Sequence, residues 1–327
     1  MDNLPSESVE YVNCDSCNSN NYKVVLQIQD YRDGASGNFR IVKCNFCGLL
    51  YTNPRLTRPA LIKTCQAYFT SSDKGQGKLI LSLRRFIRRH SGLRVLWHYL
   101  MGEYLGEVLT KSRGRLLDIG CGFGEMLEDL RLRGCDVYGL ELNPLAVKIC
   151  RAKGLNVSCG TLEEIHFTDE FFDTVILWHV IEHLPSPKST LKEVYRILKP
   201  GGQAFVYCPN ADSYFYTLFG RYWHGLAIPM HFYHFTVKTI QRLIELNGFR
   251  IKKIRTVTPE YFFSGSLGAY IRNNPHRVLE FIQETGLGHS LFFRFFIASL
   301  ARVLDRCLIG KGECLRVEFI KPIGKVN

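Results

Sequence analysis

At 327 residues the chain can bury a full core and hold one large domain beside a small one. No apolar run is long enough to span a bilayer, and the first ten residues have neither a basic patch nor an apolar core. The expectation is a cytoplasmic protein, not a membrane-spanning or exported one. A formal charge of +12 favours anionic partners such as nucleic acid, nucleotide-linked or phosphorylated substrates, or acidic lipid, without choosing among them. Twelve cysteines without an export signal argue for thiols and metal sites over disulfides.

In chain order, Cys14 and Cys17, then Cys44 and Cys47, form two Cys-x2-Cys pairs separated by 26 residues. Each pair presents two thiolates from one tight turn, and two such knuckles complete a tetrahedral, structural zinc site. Residues 23–28 and 39–43 read as strands of a small ribbon, whose folding energy the metal would supply. Residues 54–59 read as a hinge out of it. Residues 79–109 read as one or two helices, and 79–115 carry eight Lys/Arg against two Glu. That basic face is read as solvated, with a grip on acidic lipid or substrate phosphate as the sharper alternative. The domains expected are a ribbon at 1–57, a helical linker or cap at 58–112, and a main domain at 113–327.

The main domain opens on Leu116, Leu117, Asp118 and Ile119, a short buried strand, followed by a helix over 125–132. Between them Gly120, Gly122 and Gly124 bring bare main chain to a ligand. Their Gly-x-Gly-x-Gly spacing is not that of a dinucleotide cradle, and Asp118 suits a cationic or hydroxyl-rich ligand better than a phosphate. A second strand, 137–141, ends in Glu141, 21 positions after Gly120, where a doubly wound α/β fold places a carboxylate for ribose hydroxyls. Further strands are expected at 155–159, 172–177, 202–207, 249–257 and 314–320, with helices beginning at Asn143-Pro144 and spanning 189–198 and 236–247. The fourth strand delivers Trp178, His179, Glu182 and His183 to the carboxyl edge of the sheet.

The run Leu-Leu-Asp-Ile-Gly-Cys-Gly-Phe-Gly, with Gly139-Leu140-Glu141, Phe172-Asp173 and Leu198-Lys199-Pro200-Gly201-Gly202 in order, resembles class I S-adenosylmethionine-dependent methyltransferases over about the C-terminal two-thirds of the chain. The resemblance implies a Rossmann-like seven-stranded sheet, here with a ribbon in front and a helical insertion at 259–312. It implies that Asp118, Gly120 and Gly122 cradle the methionine part of the donor and Glu141 its ribose. Leu142, Thr161 and Leu162 would line the adenine, although the family often has an acid where Thr161 stands. Trp178 is placed beside the donor. A ribbon ahead of the catalytic domain also resembles bacterial methyltransferases of sugars and cell-surface polysaccharides, which implies a small-molecule, sugar or glycolipid-precursor acceptor. Sugar C-methyltransferases of that order carry a further C-terminal domain, for which this chain is too short.

His179-x-x-Glu182-His183 admits three readings. An inverted zinc-protease motif needs a helix that Pro185 and the preceding strand disfavour. Small-RNA ribose methyltransferases of the same class bind magnesium through Glu-x-x-Glu-His and a later histidine; here His179 replaces the first acid and His231 would be the later ligand. Imidazole in that place suits zinc or iron better than magnesium. The reading adopted is non-metal: His179 lies near the sulfonium, Glu182 and His183 orient the acceptor loop, and His179, His183 and His231 are the candidate bases. Aromatics at Tyr214, Phe215, Tyr216, Phe219, Tyr222 and Trp223, with Arg221, suit a sugar or flat acceptor, and core packing explains part of the pattern. Residues 291–308 read as an apolar helix serving as lid, dimer face or membrane-surface foot. Two rival functions stand beside methylation of a small molecule. One is an RNA or ribosome methyltransferase; the other is a donor-binding scaffold without turnover.

Overall fold

The computed structural model describes residues 8–28, 38–71, 108, 110–274, 296–297, 299–300, 303, 305 and 310–324, with side chains of the first helix to residue 64. Strands β1 (Val9–Glu10), β2 (Tyr22–Ile28), β3 (Phe39–Cys44), β4 (Leu50–Thr52) and β5 (Arg55–Leu56) precede helix α1 (Arg58–Ser71). The main domain then runs β6 (Arg115–Ile119), α2 (Glu125–Leu132), β7 (Asp136–Glu141), α3 (Pro144–Ala152), β8 (Asn156–Cys159), α4 (Leu162–Ile165) and β9 (Phe172–Trp178). After it come α5 (Pro187–Ile197), β10 (Leu198–Pro209), α6 (Tyr214–Phe219), β11 (Tyr233–His234), α7 (Val237–Leu246), β12 (Arg250–Val257), α8 (Glu260–Asn273) and β13 (Cys314–Ile320).

Seven of these strands form one sheet in the order β12-β13-β10-β9-β6-β7-β8. The five from β10 to β8 are parallel, and β13 runs antiparallel between β10 and β12. Leu116, Leu117, Val175, Ile176 and Leu177 are fully buried, as strands covered on both faces must be. Strand order reverses at β6, so the crevice at the carboxyl ends of β6 and β9 is the switch point where such sheets bind ligands. Helix α5 shows how local chemistry sets this frame. Ser186 caps it by accepting from Ser189 N, Pro187 occupies the first turn, and Thr190, Leu191, Val194 and Ile197 bury one face.

Three expectations shift. Residues 54–59 are not a hinge: Arg55 and Leu56 pair with Glu10 and Val9, Arg55 is buried, and α1 begins at Arg58. Pro187 opens α5 two residues before the expected start, because proline fits the first helical turn. The fifth strand extends from Leu198 to Pro209, with a register irregularity between Leu198 and Gln203. The basic segment 79–109 lies outside the described residues except at Val108, which is helical and buried; within 291–308 only single positions are described. Among the described residues no helix is long and apolar enough to cross a membrane.

The small sheet has the order β11-β4-β3-β2, so this N-terminal sheet takes in a strand from the middle of the main domain. Tyr233 pairs with Tyr51 and His234 with Leu50. Thr52 Oγ1 donates to His231 O at 2.8 Å, and Thr52 N donates to Phe232 O at 2.9 Å. Burial pushes the His234 pKa down to about 3. Since the Thr52 hydroxyl proton goes to His231 O, the neutral His234 ring donates from Nε2 to Thr52 Oγ1 at 3.3 Å.

The expected aromatic platform is largely core. Trp223 and Phe215 are buried, and Trp223 Nε1, Ser213 Oγ and Phe215 N all donate to the carboxylate of Glu313. Burial raises the Glu313 pKa to about 7 against these three lowering bonds. A folded pKa above the unfolded one stabilises the protein at low pH, and that contribution is lost as pH rises from about 4.5 through about 7. Thermal melts should therefore show stability falling across that window, and Glu313→Gln should flatten the slope. An unchanged slope in the variant would assign the dependence to another group.

Candidate functional site

At the end of β6 the backbone turns left-handed at Gly120 (φ 72°) and Gly122 (φ 54°). A Cβ on Gly120 would lie 2.5 Å from Val180 Cγ2, so glycine is required for space as well as conformation. A Cβ on Gly122 would meet no protein atom within 4 Å, which leaves bare main chain there for a ligand. Leu140 O accepts from Gly120 N at 2.7 Å and from Cys121 N at 3.1 Å, locking the turn to β7. Glu141 bends back to the same turn. Its Oε2 accepts from Gly122 N at 2.9 Å, and its Oε1 accepts from Leu142 N and Asn143 N.

Asp118 is 1% exposed, and its Oδ1 accepts no hydrogen bond. Burial, then the charge of Glu141, raises its pKa well above the carboxylate range. Such a group is costly alone and is relieved by a cation bound beside it. Of the remaining expected donor residues, Leu142 is exposed, Leu162 is buried, and Thr161 caps α4 while its N–H donates to Glu164 Oε2 at 2.8 Å. Trp178 stacks on Tyr207 with centroids 4.2 Å apart and planes 4° from parallel.

His179 leaves β9 in a left-handed conformation, φ 53°, held by its N–H on Tyr207 O at 2.8 Å. The residues that follow form a turn, not a helix, so the protease geometry does not arise. His179 Nδ1 lies 3.1 Å from Glu182 Oε1, and Nε2 lies 3.2 Å from the Tyr261 hydroxyl. A carboxylate accepts, so Nδ1 donates and Nε2 carries the lone pair that receives the tyrosine proton. This buried acid, oriented imidazole and facing hydroxyl make an arrangement that can take a proton. His183 and His231 stand together, ring centroids 4.5 Å apart. The Glu182 carbonyl ties their loops by accepting from Phe232 N at 2.8 Å and Tyr233 N at 3.1 Å. Tyr261, on the first helix of the insertion, has no motif around it and is the site residue that sequence reasoning missed.

Cys14, Cys17, Cys44 and Cys47 also converge. Their sulfurs lie within 4.8 Å of one another, with Cys14–Cys47 at 3.4 Å and Cys17–Cys44 at 3.5 Å. Four thiolates around zinc at about 2.3 Å would stand about 3.8 Å apart, so the donor set fits that ion.

A family model described as a methyltransferase domain matches residues 94–254. The match covers 161 of the 327 residues, just under half of the chain, and likens this region to methyltransferase domains. Two curated relatives are named ubiquinone biosynthesis O-methyltransferase. That of Alkalilimnicola ehrlichii is 31% identical over 128 residues, 36% of this chain and 52% of the relative. That of Pseudomonas putida is 32% identical over 133 residues, 38% of this chain and 54% of the relative. The chain thus spans about half the length of the curated relatives it matches. A solved S-adenosylmethionine-dependent methyltransferase from Archaeoglobus fulgidus is 21% identical, with a TM-score of 0.46 over 78% of this chain and 99% of that one. The turn of Gly120 and Gly122, Asp118, Glu141 and His179 all fall inside the matched residues; His231 does too, while Tyr261 lies beyond the match.

Proposed function

We propose that the methyltransferase domain moves a methyl group from S-adenosylmethionine to a hydroxyl of a small-molecule acceptor. The observation that carries this is the buried, unpartnered Asp118 oxygen at the switch point, beside the bare main chain of Gly122. A sulfonium donor supplies a methyl whose carbon–sulfur bond breaks, the pair staying on sulfur, as the acceptor oxygen bonds to carbon. Asp118 faces the donor's positive end, Gly120 and Gly122 admit its methionine part, and Glu141 takes its ribose. Leu142, Thr161, Leu162 and Trp178 border the nucleoside. His179 receives the acceptor's proton at Nε2, in the place now held by the Tyr261 hydroxyl. Glu182 steadies the imidazolium that results, and His183 and His231 hold the acceptor loop.

The ribbon cysteines hold a structural zinc in this reading, with all four positions filled by protein. The acceptor is drawn from two directions. The ribbon-first order of the sequence favours a glycan or glycolipid-precursor hydroxyl, and the relatives' name favours ubiquinone biosynthesis. Labelled donor offered both kinds of acceptor separates them, and binding without transfer to either would favour a scaffold.

Calorimetry on Asp118→Asn tests the donor site. A neutral side chain of the same shape should weaken donor binding about ten- to a hundredfold, the worth of a hydrogen bond to a charged group. The donor-free variant should melt no lower than the parent, since a buried carboxylate has been removed. Unchanged donor affinity would sink the assignment.

A further inference from the structure

Tyr261 donates its phenol proton to His179 Nε2 at 3.2 Å, and His179 Nδ1 donates to Glu182 Oε1 at 3.1 Å. A hydroxyl on an imidazole that a buried carboxylate orients is the arrangement of an activated nucleophile, whatever side chain carries the oxygen. Tyr261 is also held in that place. It stands in the first turn of α8, next to Phe262, which is 1% exposed. Its ring meets the His224 ring edge-on, centroids 5.6 Å apart. Further along α8, Ser266 Oγ accepts from His224 N at 2.9 Å, and any side chain at Gly265 would run into the His224 imidazole. The donor crevice is adjacent. Ile119 pairs with Leu177, which puts Gly120 level with Trp178, one residue before His179, and the Val180 side chain covers Gly120.

We infer that Tyr261 is a modification site: with donor bound and no acceptor present, the protein methylates its own Tyr261 hydroxyl. The inference rests on the methyl-transfer reading, in which an acceptor hydroxyl must stand where the Tyr261 hydroxyl now stands. In the step, the methyl carbon–sulfur bond of S-adenosylmethionine breaks, sulfur keeps the electron pair, and the Tyr261 oxygen bonds to the carbon. The phenol proton passes to His179 Nε2, and Glu182 faces the imidazolium that forms. S-adenosylhomocysteine leaves, and the proton is then released to water. An aryl methyl ether has no proton to donate, so the bond from Tyr261 to His179 is lost and each chain reacts once. Because Tyr261 lies beyond the matched residues, the activity depends on the segment after β12 and not on the matched region alone.

The test is incubation of full-length protein with methyl-tritiated S-adenosylmethionine and no acceptor, followed by peptide mapping by mass spectrometry. The expected result is about one methyl group per chain, on the Tyr261 oxygen, at a rate per chain that does not change on about tenfold dilution, as an intramolecular step requires. Tyr261→Phe should abolish that label, and His179→Asn should slow it by about 10²- to 10⁴-fold. Label confined to other residues, or a rate per chain that rises with protein concentration, would overturn the inference. Should a variant fail to fold, the map of the parent protein decides alone. Donor calorimetry on the same samples keeps the two readings apart: donor bound with no methyl on Tyr261 removes only the self-methylation, and no donor bound removes the methyl-transfer reading and the self-methylation with it.

Discussion

Replacing His179 with asparagine is expected to lower kcat by about 10²- to 10⁴-fold, the range for losing a positioned general base. Asparagine is chosen because it tolerates a left-handed backbone better than other non-glycine residues, so φ 53° is kept with little added strain. The imidazole is held by Glu182 and Tyr261 and meets the Tyr207 and Trp178 rings edge-on; none of these bonds goes to Asp118, Gly120, Gly122 or Glu141. Donor affinity should hence stay within about twofold, and the loss should fall on kcat rather than on donor binding. A retained kcat would mean that the acceptor needs no base. An equal fall in kcat and donor affinity would make His179 a support for the turn.

Stripping the metal proposed for the ribbon, by chelation or by Cys44→Ser, is the second large effect. A unit of fewer than sixty residues with four thiolates at its centre loses its fold with its ion. The damage reaches the acceptor side of the site. Asp15, inside the first cysteine knuckle, accepts from Ser186 Oγ at 2.6 Å and Lys188 N at 2.8 Å, bracing the N-terminus of α5. Arg55 donates to Glu10 Oε1, Pro185 O and the Tyr233 hydroxyl, and lies 4.9 Å from the centre of the Phe232 ring. Thr52 holds the carbonyl of His231 itself. Misplacing such groups by an ångström costs about 100-fold in rate, so transfer should fall at least that far while donor binding persists. Hydrogen exchange should report lost protection at residues 231–234. Full activity in the chelated protein would show the ribbon to be dispensable.

Much of this was legible because it follows short-range rules. The glycine turn, Glu141 in register and the capped helix starts at Asn143 and Thr236 are each written within a few residues. The Cys-x2-Cys pairs were equally plain. What escaped depends on distance. Two-residue strand β11 has no periodicity to read, and it exists because β4, about 180 residues earlier, offers an unpaired edge. The same absence of local signal hid Arg55, whose guanidinium is buried by groups from residues 10, 185 and 233. The aromatics around Trp223 misled because rings that stack on ligands and rings that fill a core share one composition; Glu313, ninety positions later, decides it.

The pairing of β4 with β11 bears on how the chain comes into being. As the polypeptide is made from its first residue onward, both cysteine knuckles emerge early, whereas Tyr233 and His234 emerge only after most of the large sheet. Until then the open edge of β4 is a template for any other extended segment, including its own counterpart in a second nascent molecule. Early capture of a metal would give that half-built unit a fixed shape while it waits. The last step of ribbon formation and the setting of His231 in its loop would then be one event.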